Sequence, residues 1–233
     1  MGTSDLITLF FLVAAVVIFF QLRSVLGRRT GSEKPRYEQS QARSRAETVD
    51  AATKEGNVIT LPGAEKEHKA ARLAAVDRVS PEGSALNNGL REIVENDAQF
   101  EPEEFLKGAQ SAYEMIVMSF ADGDRRTLKN LLSKEVFEGF NAAMSERESK
   151  GETVKASFVG IEKADFTEAE VEKNEARITL RIVSQMISAT YSKDGELVDG
   201  DPDEIAEVRD LWTFARDMRA RDPNWKLIAT ASE

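Results

Sequence analysis

The feature that most constrains this chain is a change of apolar period near Gly151. Ahead of it, from Asn87 onward, apolar residues recur every three or four positions. Leu106, Ala109, Tyr113, Ile116, Val117 and Phe120 share one helical face, and Phe137, Phe140 and Met144 share another. Behind it the period is two: Val154, Ala156 and Phe158 alternate with Lys155 and Ser157, and Ile178, Leu180 and Ile182 alternate with Arg177, Thr179 and Arg181. A block of helices followed by a block of strands predicts an α+β fold, with N-terminal helices packed on an antiparallel sheet.

Local signals place the breaks. Pro102 suits a first helical turn, where Glu103 and Glu104 complement the positive end of the dipole. Gly123 and Gly151 suit helix ends, while Asp124 and Ser133 suit N-caps of the helices that follow. "EKNEA" and "SKDGELVDGDPDE" carry turn residues between strands. Past Val183 the alternation is less clean, which predicts a bulge or a strand buried on both faces.

The last stretch, "VRDLWTFARDMRARDPNWKLIATASE", is ambiguous by period alone. Ile205, Val208, Leu211, Ala215 and Met218 fit a helix, and Asp210 interrupts the strand face of Val208, Trp212 and Phe214. The run "NWKLIATA" is too short for a stable helix, and a terminal strand needs an antiparallel neighbour. The expectation is therefore two strands, joined by a tight turn at Asp222-Pro223-Asn224 in which Asn224 tolerates the left-handed region. Trp212 and Trp225 would then stand on neighbouring strands.

The N-terminus is of another kind. Leu6 to Leu22, "LITLFFLVAAVVIFFQL", is seventeen residues with only Thr8 and Gln21 polar, at the lower end of what spans a hydrocarbon core. The preceding "MGTSD" has no Lys or Arg, and no small-x-small site follows, so an uncleaved anchor over 5–22 is expected in place of a signal peptide. Leu6, Phe10, Val13, Val17 and Phe20 would face lipid. Arg23, Arg28 and Arg29 crowd the far side, which predicts the N-terminus outside, a single pass, and the bulk of the chain in the cytoplasm.

Residues 23–84 read as a polar, flexible linker. Within it, 23–54 hold eight Lys or Arg against four acids, a net +4 in a chain of net −10, so the rest carries about −14. Arg23, Arg28 and Arg29 are candidates for contact with anionic lipid head groups. An acidic balance argues against nucleic acid as a partner. Residues 85–233 are expected to form the folded domain, and no pattern speaks to oligomeric state.

Two separated stretches carry a resemblance. Phe100, Phe105, Gly108, Ala109, Tyr113, Phe120, Gly123, Asp124, Leu128 and Leu131, followed by Trp212, Thr213, Phe214, Arg216, Asp222, Pro223, Asn224 and Trp225, resemble the Tim-forty-four-like domain over roughly 85 to 232. That domain belongs to the mitochondrial inner-membrane import tether and to membrane proteins of alphaproteobacteria. The resemblance implies helices against a curved antiparallel sheet, similar to the nuclear-transport-factor-like cone. It also implies a non-enzymatic adaptor in membrane-associated protein handling, with membrane lipids and a protein partner such as a translocase or chaperone. The apolar run at the N-terminus takes the place of an Arg/Ser-rich presequence, so an anchored bacterial inner-membrane member is the better match.

If the cone encloses an apolar (lipid) pocket, its candidates are Tyr113, Phe158, Ile182, Met186, Trp212, Phe214 and Trp225. The alternative is an enzyme of the cone-fold hydrolase or isomerase type, using a carboxylate with a raised pKa; Asp165 and Asp210 lie beside apolar residues. Against it, the only histidine is His68, there is no cysteine, and no nucleophile elbow, phosphate loop or metal-ligand spacing occurs. No cofactor and no metal are expected.

Overall fold

The computed structural model describes residues 62–233. They form α1 (Pro62–Val79), α2 (Ala85–Asn96), α3 (Pro102–Asp122), α4 (Arg125–Leu131) and α5 (Lys134–Lys150), then β1 (Thr153–Glu172), β2 (Glu175–Tyr191), β3 (Leu197–Asp217) and β4 (Lys226–Ser232). The strands make one open antiparallel sheet in the order β1-β2-β3-β4, with the helices packed on one face. The expected anchor over 5–22 and the linker to residue 61 lie outside the described residues. Among the described residues no helix is long and apolar enough to cross a membrane.

The breaks fall where local chemistry puts them. Pro102 opens α3, and Gly123 closes it in the left-handed region at φ 75°. The Asp124 carboxylate accepts from the backbone N–H groups of Arg126 and Thr127, and Ser133 accepts from Val136. The β1–β2 turn is the two residues Lys173 and Asn174, both at positive φ (51° and 76°), the backbone whose twist matches a tight hairpin. Gly89 lets α2 lie directly on β1, because a Cβ there would sit 1.9 Å from the Ala169 carbonyl oxygen.

β3 and β4 pair antiparallel, as expected for the C-terminal stretch. Three details differ. Trp212 pairs across to Thr230, and Trp225 sits one residue ahead of β4. The β3–β4 connection is a loop and not a tight turn: Asp222 accepts from the Asn224 N–H, and Asn224 keeps negative φ. β3 also begins at Leu197, so most of the expected turn segment is strand. Its irregularity lies where β2 moves from Met186 to Ser188 while β3 moves from Ala206 to Asp201, leaving 202–205 bulged. Pro202 is tolerated there because this bulge lies where β4 does not cover β3, so no ladder N–H is needed.

The packed body also starts before residue 85. Val76 in α1 is fully buried, and the buried Arg72 guanidinium donates to the Asp97 carbonyl at 2.9 Å and the Phe100 carbonyl at 3.4 Å. Residues 62–79 are therefore a docked helix, not flexible linker. A short helix over Ala64 to Val76 is within reach of the sequence, but its docking is not, because α1 buries an arginine within a short cluster of alanines and shows no clear apolar stripe.

Candidate functional site

The inner face of the sheet comes from the even-numbered residues of β2 and their partners on β3. Ile178 pairs with Phe214 and Leu180 with Trp212, while Ile182 and Met186 lie further along β2 opposite Asp210 and Ala206; these apolar side chains of β2, Trp212 and Phe214 are all buried. Aromatic rings from α3 and the α2–α3 loop fill the space above them. Tyr113 lies 4.5 Å from Trp212 and 6.1 Å from Phe158 between ring centroids. Phe105 lies 4.7 Å from Trp225, 5.8 Å from Phe166 and 6.1 Å from Phe214. These tilted and edge-on contacts are those aromatic quadrupoles favour.

The structure thus brings six of the seven apolar candidates to one core, Tyr113, Ile182, Trp212 and Phe214 within it and Phe158 and Trp225 packed against it, while Met186 is buried outside that cluster beside Phe158. Tyr113, Trp212, Phe158, Met186 and Ile182 gather toward one end, Phe214 and Trp225 toward the other. Six belong to α3, β1, β2 or β3, and Trp225 reaches in from the loop before β4. None of the seven lines either of two open depressions found among the described residues. One, of about 320 Å³, lies on the sheet face away from the helices, among Thr167, Thr179, Arg181, Leu211 and Thr213. The other, of about 240 Å³, lies between α1 and the start of α3, beside the exposed His68.

A polar group sits inside the aromatic wall. The Tyr113 hydroxyl donates to Asp210 Oδ2 at 2.8 Å and lies 2.8 Å from Ser184 Oγ. All three residues are buried. Burial pushes the Asp210 carboxyl up to about 6, although the Tyr113 hydrogen bond pulls the other way. Burial, together with the Asp210 carboxylate, pushes the Tyr113 phenol far above its ordinary range.

Asp210 is thus the carboxylate whose interruption of the strand pattern marked it in the sequence. It has the raised pKa that acid–base chemistry asks for. It lines neither of these two depressions, and its neighbours are a phenol and a serine hydroxyl. The other candidate, Asp165, is partly exposed and paired with Lys163 at 2.7 Å, so it lacks the apolar surroundings the enzyme alternative needs. Among the described residues no cluster of His, Cys, Asp and Glu is placed to hold a metal ion.

A second buried group was not legible in the sequence. Asp97, in the α2–α3 loop, forms an ion pair with Arg216 of β3, and both side chains are nearly inaccessible. The Arg216 guanidinium also lies 5.7 Å from the centre of the Trp225 ring and donates to the Pro223 carbonyl at 3.3 Å. Arg72 holds the same loop from the other side. One loop is thereby fixed against α1, β3 and the β3–β4 connection at once.

A sequence model of the Tim44-like domain matches residues 86–232. The chain is 24% identical over 143 residues to the probable mitochondrial import inner membrane translocase subunit tin-44 of Caenorhabditis elegans, covering 60% of this chain and 34% of that protein. It is 20% identical over 146 residues to the mitochondrial import inner membrane translocase subunit TIM44 of Homo sapiens, covering 61% of this chain and 32% of the relative. The match therefore spans about a third of each relative's length. Among solved structures, the intermembrane space region of the chloroplast protein ARC6 aligns over 55% of this chain and 95% of its own at 9% identity, with a TM-score of 0.39, too low to support an argument.

Proposed function

The chain belongs to the Tim44-like domain family, and on that premise we propose that it is a non-enzymatic binding module which holds a protein partner at the cytoplasmic face of a bacterial inner membrane. In this reading residues 6–22 anchor it in a single pass, and Arg23, Arg28 and Arg29 rest on anionic head groups. The relatives' names place them in an inner-membrane import translocase, and a role in membrane-associated protein transport follows for this chain by kinship.

The observation that carries the reading is the filled aromatic interior. An apolar ligand between the helices and the sheet would have to displace Tyr113, Trp212, Phe105 or Trp225 from contacts of 4.5–4.7 Å. Recognition on the outer surface needs no such displacement. Met115 on α3 and Val159, the residue left unpaired by the shift between Phe158 and Gly160 on β1, are large apolar side chains about half exposed. The enzyme alternative is weaker, because Asp210 is buried and its carboxylate is taken up by the Tyr113 hydroxyl.

A photoreactive side chain at position 115 or 159 of the full chain, activated in native membranes, tests this. A discrete protein adduct is expected at one of the two positions. Adducts to lipid alone at both, or none, would refute a protein partner on this surface. Release of the chain from membranes by alkaline carbonate would refute the anchor.

A further inference from the structure

β4 covers β3 only from Asp210 to Ala215, and the last backbone bond on that side joins Glu233 to Arg209. From Leu197 to Val208 the far edge of β3 has no strand partner among the described residues. Three of the five large apolar side chains exposed among the described residues lie on this one stretch: Leu197, Val198 and Ile205, each just over half exposed. An edge of this kind offers unpaired N–H and C=O groups together with apolar contact area, the two things an added strand uses. Its charge selects the occupant. Asp199, Asp201, Asp203, Glu204 and Glu207 lie on this stretch with no cation among them, and Arg209 just beyond it is paired with Glu207, so a second copy of this edge is repelled and a basic strand is attracted.

We propose that the chain's own basic segment, residues 23–54, adds to this edge as a fifth strand. That segment carries eight Lys or Arg against four acids in an otherwise acidic protein. Its stretch "ARSRA", Ala42 to Ala46, alternates with period two, so as a strand it puts Arg43 and Arg45 on one face and Ala42, Ser44 and Ala46 on the other. Asp199 and Asp201 share one face of β3 by the same period. An antiparallel added strand can therefore set Arg43 opposite Asp201 and Arg45 opposite Asp199 as two cross-strand ion pairs. The bulge at 202–205 limits the pairing to the end of β3 near Leu197. The chain between Arg45 and Pro62 reaches roughly 60 Å when extended, against a radius of gyration of about 16 Å for a domain of this size, so its length permits the contact. Docked in this way, the segment between the apolar run and the domain lies along the sheet edge and shields its apolar side chains.

Amide hydrogen exchange of residues 197–206 in the full chain, held in detergent, tests the proposal. The wild-type segment should exchange at least tenfold more slowly than in the Arg43→Glu/Arg45→Glu variant, whose substitutions lie outside the folded body. Adding Asp199→Lys and Asp201→Lys to that variant should restore protection by exchanging the two signs. Equal exchange in wild type and the Arg43→Glu/Arg45→Glu variant overturns the proposal. Protection that falls on tenfold dilution also overturns it, because the occupant would then come from another molecule.

Discussion

Replacing Asp210 with asparagine should stabilise the protein at alkaline pH and do much less at acid pH. The side chain is buried, and its carboxyl is pushed from an ordinary 3.8 to about 6, chiefly by burial. The sign follows from linkage. A carboxyl whose folded pKa lies above the unfolded value binds more protons in the folded state, so stability falls as pH rises between the two values. The full cost is present above about 6 and absent well below 3.8. A difference of about two pKa units corresponds to about 3 kcal/mol at pH 8 and about 1 kcal/mol at pH 4.5. Asparagine removes the charge and keeps an oxygen to accept from Tyr113. Any pH-independent cost of its amide cancels when the two pH values are compared. Urea unfolding of the full chain in detergent, followed by tryptophan fluorescence, should show the variant gaining about 2 kcal/mol more at pH 8 than at pH 4.5. The same wild-type-to-variant difference at both pH values would refute the assignment of a strained carboxylate to this site.

Arg216→Met should cost about 3–5 kcal/mol in the same assay, because it strands the buried Asp97 carboxylate without its cation. Adding Asp97→Leu should recover most of that loss, and a double variant no better than the single would show that the pair matters for more than charge. Gly89→Ala should destabilise by about 1–3 kcal/mol, since the new Cβ meets the Ala169 carbonyl at 1.9 Å and α2 must lift from β1. A rise in melting temperature, as intrinsic helix propensity alone would give, would contradict that contact.

What could be read from the residues was what local chemistry decides. Asp124, Ser133, Gly123 and Gly151 mark helix ends because each satisfies backbone groups within a few positions of itself. The change of period at Gly151 separates helices from strands because each half has its own repeat. The errors have equally physical causes. Gly200 and Pro202 look like turn residues, yet β3 runs through both: Gly200 supplies a positive φ of 79° beside Ser188, and Pro202 falls in an edge bulge. Lys173 and Asn174, not Asn224, take the left-handed positions, because the two-residue hairpin demands them and the longer β3–β4 loop does not. Arg216 and Asp97 meet only through the sheet and the α2–α3 loop, so nothing in either one's neighbourhood announces the pair.

The candidate site shows the same division more sharply. Periodicity picked out Tyr113 and Ile182 because it detects inward-facing residues, while Trp212 and Phe214 followed from the strand expected for the C-terminal stretch. Periodicity does not register whether the space they face is open or filled. That depends on Phe105, which sits on α3 two turns before Tyr113 and meets Phe166 of β1, Phe214 of β3 and Trp225 of the loop before β4. Asp210 is the instructive residue. As a break in an apolar strand face it is equally the mark of a catalytic acid and of a buried polar clasp. Its burial and its place in the hydrogen-bonded group with Tyr113 and Ser184 favour the clasp. With the interior occupied by aromatic rings and one strained carboxylate, the apolar surface left for recognition lies outside: at Met115, at Val159 and along the open edge of β3. A module built this way recognises by its surface and edges, and the charge of each edge decides which strand or partner settles there.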